Sequence, residues 1–184
     1  MTWRLSGRDV SAAEVARLAR AWRASGLPLL VIDGPSGAGK STLAAALAAA
    51  SGAPVVALDS VYPGWGGLRQ GSVELGRTLI RPHRAGRLGW VQRWDWEASA
   101  RGIRIAVKPG GPLIVEGCGA FAAAGRPAFR VWVILGDAER RRRALDRDGG
   151  AYEPFWATWE AQWRRYRRAI YAQPSSWSRS SSMP

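Results

Sequence analysis

The stretch Leu29-Leu30-Val31-Ile32-Asp33-Gly34-Pro35-Ser36-Gly37-Ala38-Gly39-Lys40-Ser41-Thr42 decides the fold. Its first four residues form a continuous apolar run, which predicts a short strand buried on both faces of a parallel sheet. Its last residues open an alanine-rich segment, 40–50, which predicts a helix. Between the two, Gly34 to Ser41 satisfies in full the spacing Gly-x-x-x-x-Gly-Lys-Ser of a phosphate-binding P-loop. The chemistry accounts for the spacing. Glycines let successive backbone N–H groups turn inward around phosphate oxygens, and the start of the following helix adds its positive end. Lys40 is placed to reach the β- and γ-phosphates of a nucleoside triphosphate, and the Ser41 hydroxyl to sit on Mg²⁺. Gly34, Pro35, Ser36, Gly37, Ala38, Gly39, Lys40, Ser41 and Thr42 are therefore the expected seat of ATP with magnesium.

Outward from this segment, strands and helices alternate. Residues 11–25 predict a helix, with Ala12, Val15, Ala16, Ala19 and Trp22 on one face and Gly26 as its stop. Residues 54–58 predict a second short strand ending at Asp59, and 113–115 and 131–135 two more. The glycine-rich stretch 62–71 reads as loop. Residues 137–146 predict a helix with its acids in the first turn, where the helix dipole favours them. Trp156, Trp159, Trp163, Tyr166 and Ile170 keep the spacing of a last amphipathic helix. The pattern implies an α/β sandwich with a mostly parallel central sheet and helices on both faces. No apolar strand follows the final helix, so the sheet is expected to be one strand short. Residues 1–172 read as one domain, and the serine-rich 173–184 as a disordered tail.

Composition narrows the class. At 184 residues and 47% hydrophobic, the chain can close a real core. No apolar run is long enough to span a bilayer, and residues 1–10 lack the layout of a signal peptide. Cys118 is the single cysteine, so an internal disulfide is excluded and the cytoplasm is the expected setting. Of the 27 basic residues only Lys40 and Lys108 are lysines, and the net charge is +13. Such a preference for arginine, with many Ala, Gly and Trp, is what a GC-rich genome produces. A solvated basic face accounts for the charge, so a small-molecule substrate is expected and a nucleic-acid partner is not.

Two acids stand at the carboxyl ends of predicted strands, where open parallel sheets bind their ligands. These are Asp59 and Glu116, the latter in Leu113-Ile114-Val115-Glu116-Gly117. One acid can orient magnesium while the other takes the proton of an attacking hydroxyl. On the predicted helix 137–146 and just beyond, Arg140, Arg143 and Arg147 share one face by their spacing and would present three cations together. Tyr62, Trp65, Trp94 and Trp96 are candidates to line an acceptor pocket, with packing as the alternative role for each. His83 is expected on the surface, and Cys118 as a small buried residue with no nucleophilic part.

The order Ile32-Asp33-Gly34 to Lys40-Ser41-Thr42, then Asp59-Ser60-Val61-Tyr62, then Val115-Glu116-Gly117, then Arg140, Arg143 and Arg147-Asp148 resembles the uridine kinase-like P-loop kinases. The loop Tyr62-Pro63-Gly64-Trp65-Gly66-Gly67-Leu68 is more similar to a bacterial subgroup of ATP-binding proteins than to a uridine kinase. The resemblance implies Asp59 as general base and Ser41 with Glu116 as the magnesium-associated pair. It implies Asp95 as the acid that grips sugar hydroxyls of the acceptor, beside Tyr62 and Trp96. It also implies that Arg140, Arg143 and Arg147 belong to a lid, about 137–150, with Arg143 and Lys40 steadying the transferred group. The expected activity is transfer of the γ-phosphoryl group of ATP to a hydroxyl of a nucleoside or similar sugar-containing metabolite. Phosphorylation of an antibiotic or other secondary metabolite is one alternative. A nucleotide-binding regulatory protein with little catalysis is another.

Overall fold

Side-chain alternation along the central strands sets the layers. The computed structural model describes residues 2–7 and 10–172, so the expected disorder of 173–184 lies outside the described residues. The strand before the phosphate loop is β2 (Leu29–Asp33), flanked by β6 (Leu113–Glu116) and β7 (Phe129–Ile134). Leu30, Ile32, Ile114, Val131 and Val133 point to one face. There they meet Val15 and Leu18 of α1 (Ala12–Ala24) and Leu43 and Leu47 of α2 (Lys40–Ser51). Leu29, Val31, Leu113, Val115 and Trp132 point to the other face. They pack on α3 (Leu68–Leu75), α5 (Ala120–Ala124) and α7 (Trp156–Tyr171). With both faces covered, each fully buried aliphatic side chain contributes about 1.5–3 kcal/mol. That double coverage is why these strands read as unbroken apolar runs.

The main sheet has five strands, all parallel, in the order β1 (Thr2–Ser6), β7, β2, β6 and β3 (Val55–Ala57), with β3 at one edge. The strand expected to be missing would follow α7, where the described residues end at 172, and the other edge is a strand that the sequence pattern does not announce. This is β1, whose Thr2 pairs with Arg130 and Ser6 with Ile134. Its sequence, Thr-Trp-Arg-Leu-Ser, buries only Thr2 and Leu5 and half-buries Trp3. Such a mixed edge strand carries almost no periodic signal.

Helix α1 starts where a capping box places it: the Ser11 side chain accepts from Glu14 N, and the Glu14 carboxylate accepts from Ser11 N. The stretch expected to be loop as far as residue 71 instead turns helical at Leu68. A π-helical turn, Gly76–Ile80, joins α3 to the short α4 (Arg81–Arg84). A second, two-stranded antiparallel sheet follows, formed by β4 (Gly89–Asp95) and β5 (Ala100–Val107). This hairpin has no counterpart in the sequence reading. It is mostly exposed, with a register shift between Gln92 and Trp94, so neither strand shows clean alternation. His83, expected on the surface, is buried at the hairpin's base, and desolvation holds its imidazole below the usual pKa. The last helix but one, α6 (Asp137–Arg147), runs from the end of β7 across the phosphate loop.

Candidate active site

The phosphate loop is built by backbone demands that only glycine meets. Gly37 lies at φ 77, and a Cβ there would stand 1.9 Å from the Arg140 carbonyl oxygen. The loop is anchored from below by Asp33, which is fully buried. Its carboxylate accepts from Phe121 N (2.7 Å), Gly34 N (2.7 Å) and Gly119 N (3.1 Å), and from the Tyr166 hydroxyl. Burial still pushes its pKa above the usual carboxylate range, against those hydrogen bonds. One side chain thus ties β2, the turn after β6 and α7 to the start of the loop. The sequence reading quoted Asp33 only as part of a motif.

Lys40 is buried and donates to the Pro35 carbonyl (2.8 Å), with the Cys118 sulfur 3.7 Å away. Burial opposes its charge, but the fields of Cys118, Glu116, Asp59 and Asp33 outweigh it and leave the pKa above normal. Lys40 is therefore a held cation. Cys118 is buried as expected, and desolvation raises its pKa against the attraction of Lys40. Ser41 Oγ donates to Glu116 Oε1 at 2.9 Å. Glu116 is buried, and desolvation raises its pKa despite the attraction of Lys40. A hydroxyl beside an acid, both oxygen donors, is the donor set that suits Mg²⁺.

Two adjoining cavities open above these groups. The smaller, about 180 Å³, is lined by the phosphate loop from Ser36 to Thr42 together with Asp59, Arg143 and Arg147. The larger, about 530 Å³, is walled by Tyr62, Trp65, Trp96, Tyr152, Phe155 and Trp159. Ser36, Asp59 and Arg147 line both. Asp59 sits in a 3-10 turn, Leu58–Ser60, directly after β3. It is exposed, and its carboxylate makes no hydrogen bond or ion pair among the described residues. Trp65 is the hub of the aromatic wall, stacked on Phe155 at 4.7 Å and 6° and on Tyr152 at 4.9 Å and 18°. Gln162 of α7 holds the Trp65 loop by donating to the Trp65 carbonyl (2.7 Å) and accepting from Leu68 N (3.3 Å). Tyr62 is buried, and its hydroxyl donates to the Cys118 carbonyl at 2.6 Å. Tyr152 donates to Ser36 Oγ at 3.2 Å, which links the aromatic wall to the phosphate loop.

Two expectations are corrected here. The arginine ladder divides. Arg143 and Arg147 reach the smaller cavity: Arg143 donates to the Gly7 carbonyl (2.9 Å) and pairs with Glu139 (2.6 Å). Arg147 makes a two-pronged pair with Asp148 (2.7 and 2.9 Å), which pushes its pKa up. Arg140 does not join them. It is buried against α7, bonded to Asp137 (2.8 Å) and Glu160 (2.7 Å), with its guanidinium 5.3 Å from the Trp156 ring centre. Helical spacing placed all three on one face, but the partner waiting on α7 could not be seen from α6 alone. Asp95 is the second correction. It lines neither cavity; its carboxylate accepts from Ala98 N (2.9 Å) and closes the turn between β4 and β5. That turn presents Trp96 and Glu97 to the larger cavity, and Trp96 Nε1 donates to the Asp59 carbonyl at 3.0 Å. Glu97, Tyr152 and Phe155 were missed, and Asp148 was quoted only within a motif, because the hairpin tip and the stretch after α6 meet only in the fold.

No family model matches the chain. Over 149 residues it is 30% identical to a cytidylate kinase of Ignicoccus hospitalis, spanning 77% of this chain and 80% of that protein. A solved structure described as a possible uridine kinase from Bacillus stearothermophilus superposes with a TM-score of 0.56 at 18% identity. It covers 87% of this chain and 95% of that one, and shows the shared fold. Among the described residues no helix is long and apolar enough to cross a membrane. A five-stranded parallel sheet, a complete phosphate loop at the end of its central strand and a cytidylate kinase relative along most of the sequence lead to one assignment: the chain belongs to the P-loop nucleotide and nucleoside kinases.

Proposed function

We propose that the protein is an ATP- and Mg²⁺-dependent kinase that phosphorylates a hydroxyl of a nucleoside or similar sugar-containing metabolite. The observation that carries the reading is the position of Asp59, an unpartnered carboxylate at the junction between the phosphate cavity and the aromatic cavity. That is where a proton must be collected when a hydroxyl oxygen attacks phosphorus. The residues fit the ligands. The glycine loop leaves its N–H groups free of side-chain crowding, and Lys40 holds a charge for the β- and γ-phosphates. Ser41 and Glu116 would hold the metal directly or through water. Among the described residues no three His, Cys, Asp or Glu side chains converge into a cage, which suits an ion that shares its shell with phosphates. Bound MgATP supplies the transferable phosphoryl group, and the rest falls to the chain.

The aromatic wall orients the acceptor and excludes water, and Asp59 takes the hydroxyl proton as the new O–P bond forms and the bond to ADP breaks. Arg143 and Arg147, within a lid of about 137–150, stabilise the charge that spreads over the phosphoryl oxygens. The test has two arms. Lys40→Ala should lose the rise in melting temperature that millimolar MgATP gives the wild type. Asp59→Asn should keep that rise while turnover of the best acceptor in a metabolite screen falls by roughly 10²- to 10⁴-fold. Turnover surviving within a factor of a few in Asp59→Asn would refute the assignment of the base.

A further inference from the structure

The charge inside the larger cavity is opposite to that of the molecule around it. The chain carries +13 overall, yet the cavity is lined by Asp59, Glu97 and Asp148 and by one cation, Arg147. Arg147 and Asp148 cancel through their two-pronged pair. Asp59 is accounted for as the proton acceptor. Glu97 remains: it is exposed, lines the cavity, and its carboxylate makes no hydrogen bond or ion pair among the described residues. It stands next to Trp96, at the tip of the hairpin that Asp95 closes, and faces a wall of indole, phenol and phenyl rings. Trp65 is 4.8 Å from Trp96 and 4.7 Å from Phe155, so the rings pack into one cluster, and the rings it leaves open are those of Trp96 and Phe155, each 39% exposed.

Aromatic faces are negative and attract cations, most strongly where water is excluded. A carboxylate beside them adds a direct partner for an ammonium group and repels anions. A neutral acceptor would need the base and the apolar wall but would leave Glu97 without a task. An acceptor bearing a phosphate would bring two negative charges against Glu97 and Asp59, and the one cation lining this cavity, Arg147, is already shared between Asp148 and the transferred phosphoryl group. We propose that the acceptor carries a protonated amine, seated against the aromatic wall and paired with Glu97, and bears no phosphate. The inference rests on the kinase reading of this cavity and names the class of compound it takes: an amine-bearing, hydroxylated metabolite, of which amino sugars are the simplest case.

The test is run without nucleotide, so that it can fail while the kinase reading stands, and the reverse. Three probes share one frame and differ in charge: phenethylamine, 2-phenylethanol and 3-phenylpropanoate. Their binding is followed by tryptophan fluorescence, which Trp65 and Trp96 should report. The expected order is ammonium, then alcohol, then carboxylate, with the ammonium about tenfold tighter than the alcohol. In Glu97→Gln that preference should fall to about twofold while the alcohol binds as before and the melting temperature is unchanged, since Glu97 is exposed and supports nothing. Equal binding of the three probes, tightest binding of the carboxylate, or an unaltered preference in Glu97→Gln would each overturn the proposal.

Discussion

Replacing Arg140 by methionine separates the two tasks that one arginine ladder suggests. The Arg140 side chain is 3% exposed and Glu160 12%, whereas Asp137 is 75% exposed. Breaking a buried ion pair by removing one partner costs about 3–5 kcal/mol, most of it for the charge left behind. That figure must be reduced here. Glu160 keeps Arg164 at 2.9 Å, and Asp137 returns to water at almost no cost. Methionine also preserves much of the packing of the arginine stem against Trp156. About 2 kcal/mol remains, which for a chain of this size lowers the melting temperature by ~4–8 °C. The Arg140 guanidinium points to α7, so MgATP affinity should stay within about twofold of wild type. Arg147→Met should behave in the opposite way. Its pair with Asp148 is largely exposed and contributes about 0–1 kcal/mol, so stability should hold while phosphoryl transfer falls. Thermal melts with and without MgATP, run on both variants, make the comparison. If Arg140→Met loses nucleotide affinity tenfold at unchanged stability, the division of the ladder drawn here is wrong.

Two further outcomes follow from the site's physics. Gly37→Ala places a Cβ 1.9 Å from the Arg140 carbonyl at φ 77, so it should lower stability by about 1–3 kcal/mol and abolish the nucleotide-dependent shift; a variant that melts and binds as wild type would show that the loop tolerates a side chain. Burial raises the Glu116 pKa above its unfolded value, so the native state holds this proton more tightly, and stability from this group is lost as pH rises through the folded pKa. Glu116→Gln removes that loss, and its melting temperature relative to wild type should climb from pH 4.5 upward and then level off; a flat difference would mean that Glu116 ionises in the fold as it does in water.

What the sequence reveals follows from how local each signal is. The phosphate loop is legible because its glycines, lysine and serine are contiguous and its strand and helix are buried on predictable faces. Asp59 and Glu116 are legible because both stand at the carboxyl ends of parallel strands. The edge strand β1 and the hairpin of β4 and β5 are not, because half-exposed strands with arginine and tryptophan at both kinds of position lose the period of two. Arg140 and Arg147 look equivalent on their own helix, and only Glu160, twenty residues away from Arg140, distinguishes them. The aromatic cavity draws on the loop at Trp65, the hairpin tip at Trp96 and the turn at Tyr152 to Phe155. Tryptophan is too common in this chain for any one of these to stand out.

The pairing of Thr2 with Arg130 also bears on the order in which the molecule can be made. The first strand leaves the ribosome early, yet its neighbour in the sheet is synthesised more than a hundred residues later. Until then β1 is an unpaired edge, and β2 lacks both of its flanking strands, since β6 and β7 are also late. The phosphate loop is therefore encoded early but assembled late. A nascent chain halted before Ile134 has no closed nucleotide site, and the loop-closing cost of these distant contacts falls in one step near the end. Slow folding of the sheet, and exposure of its apolar strands to chaperones during synthesis, are the expected accompaniment of a nucleotide site built in this order.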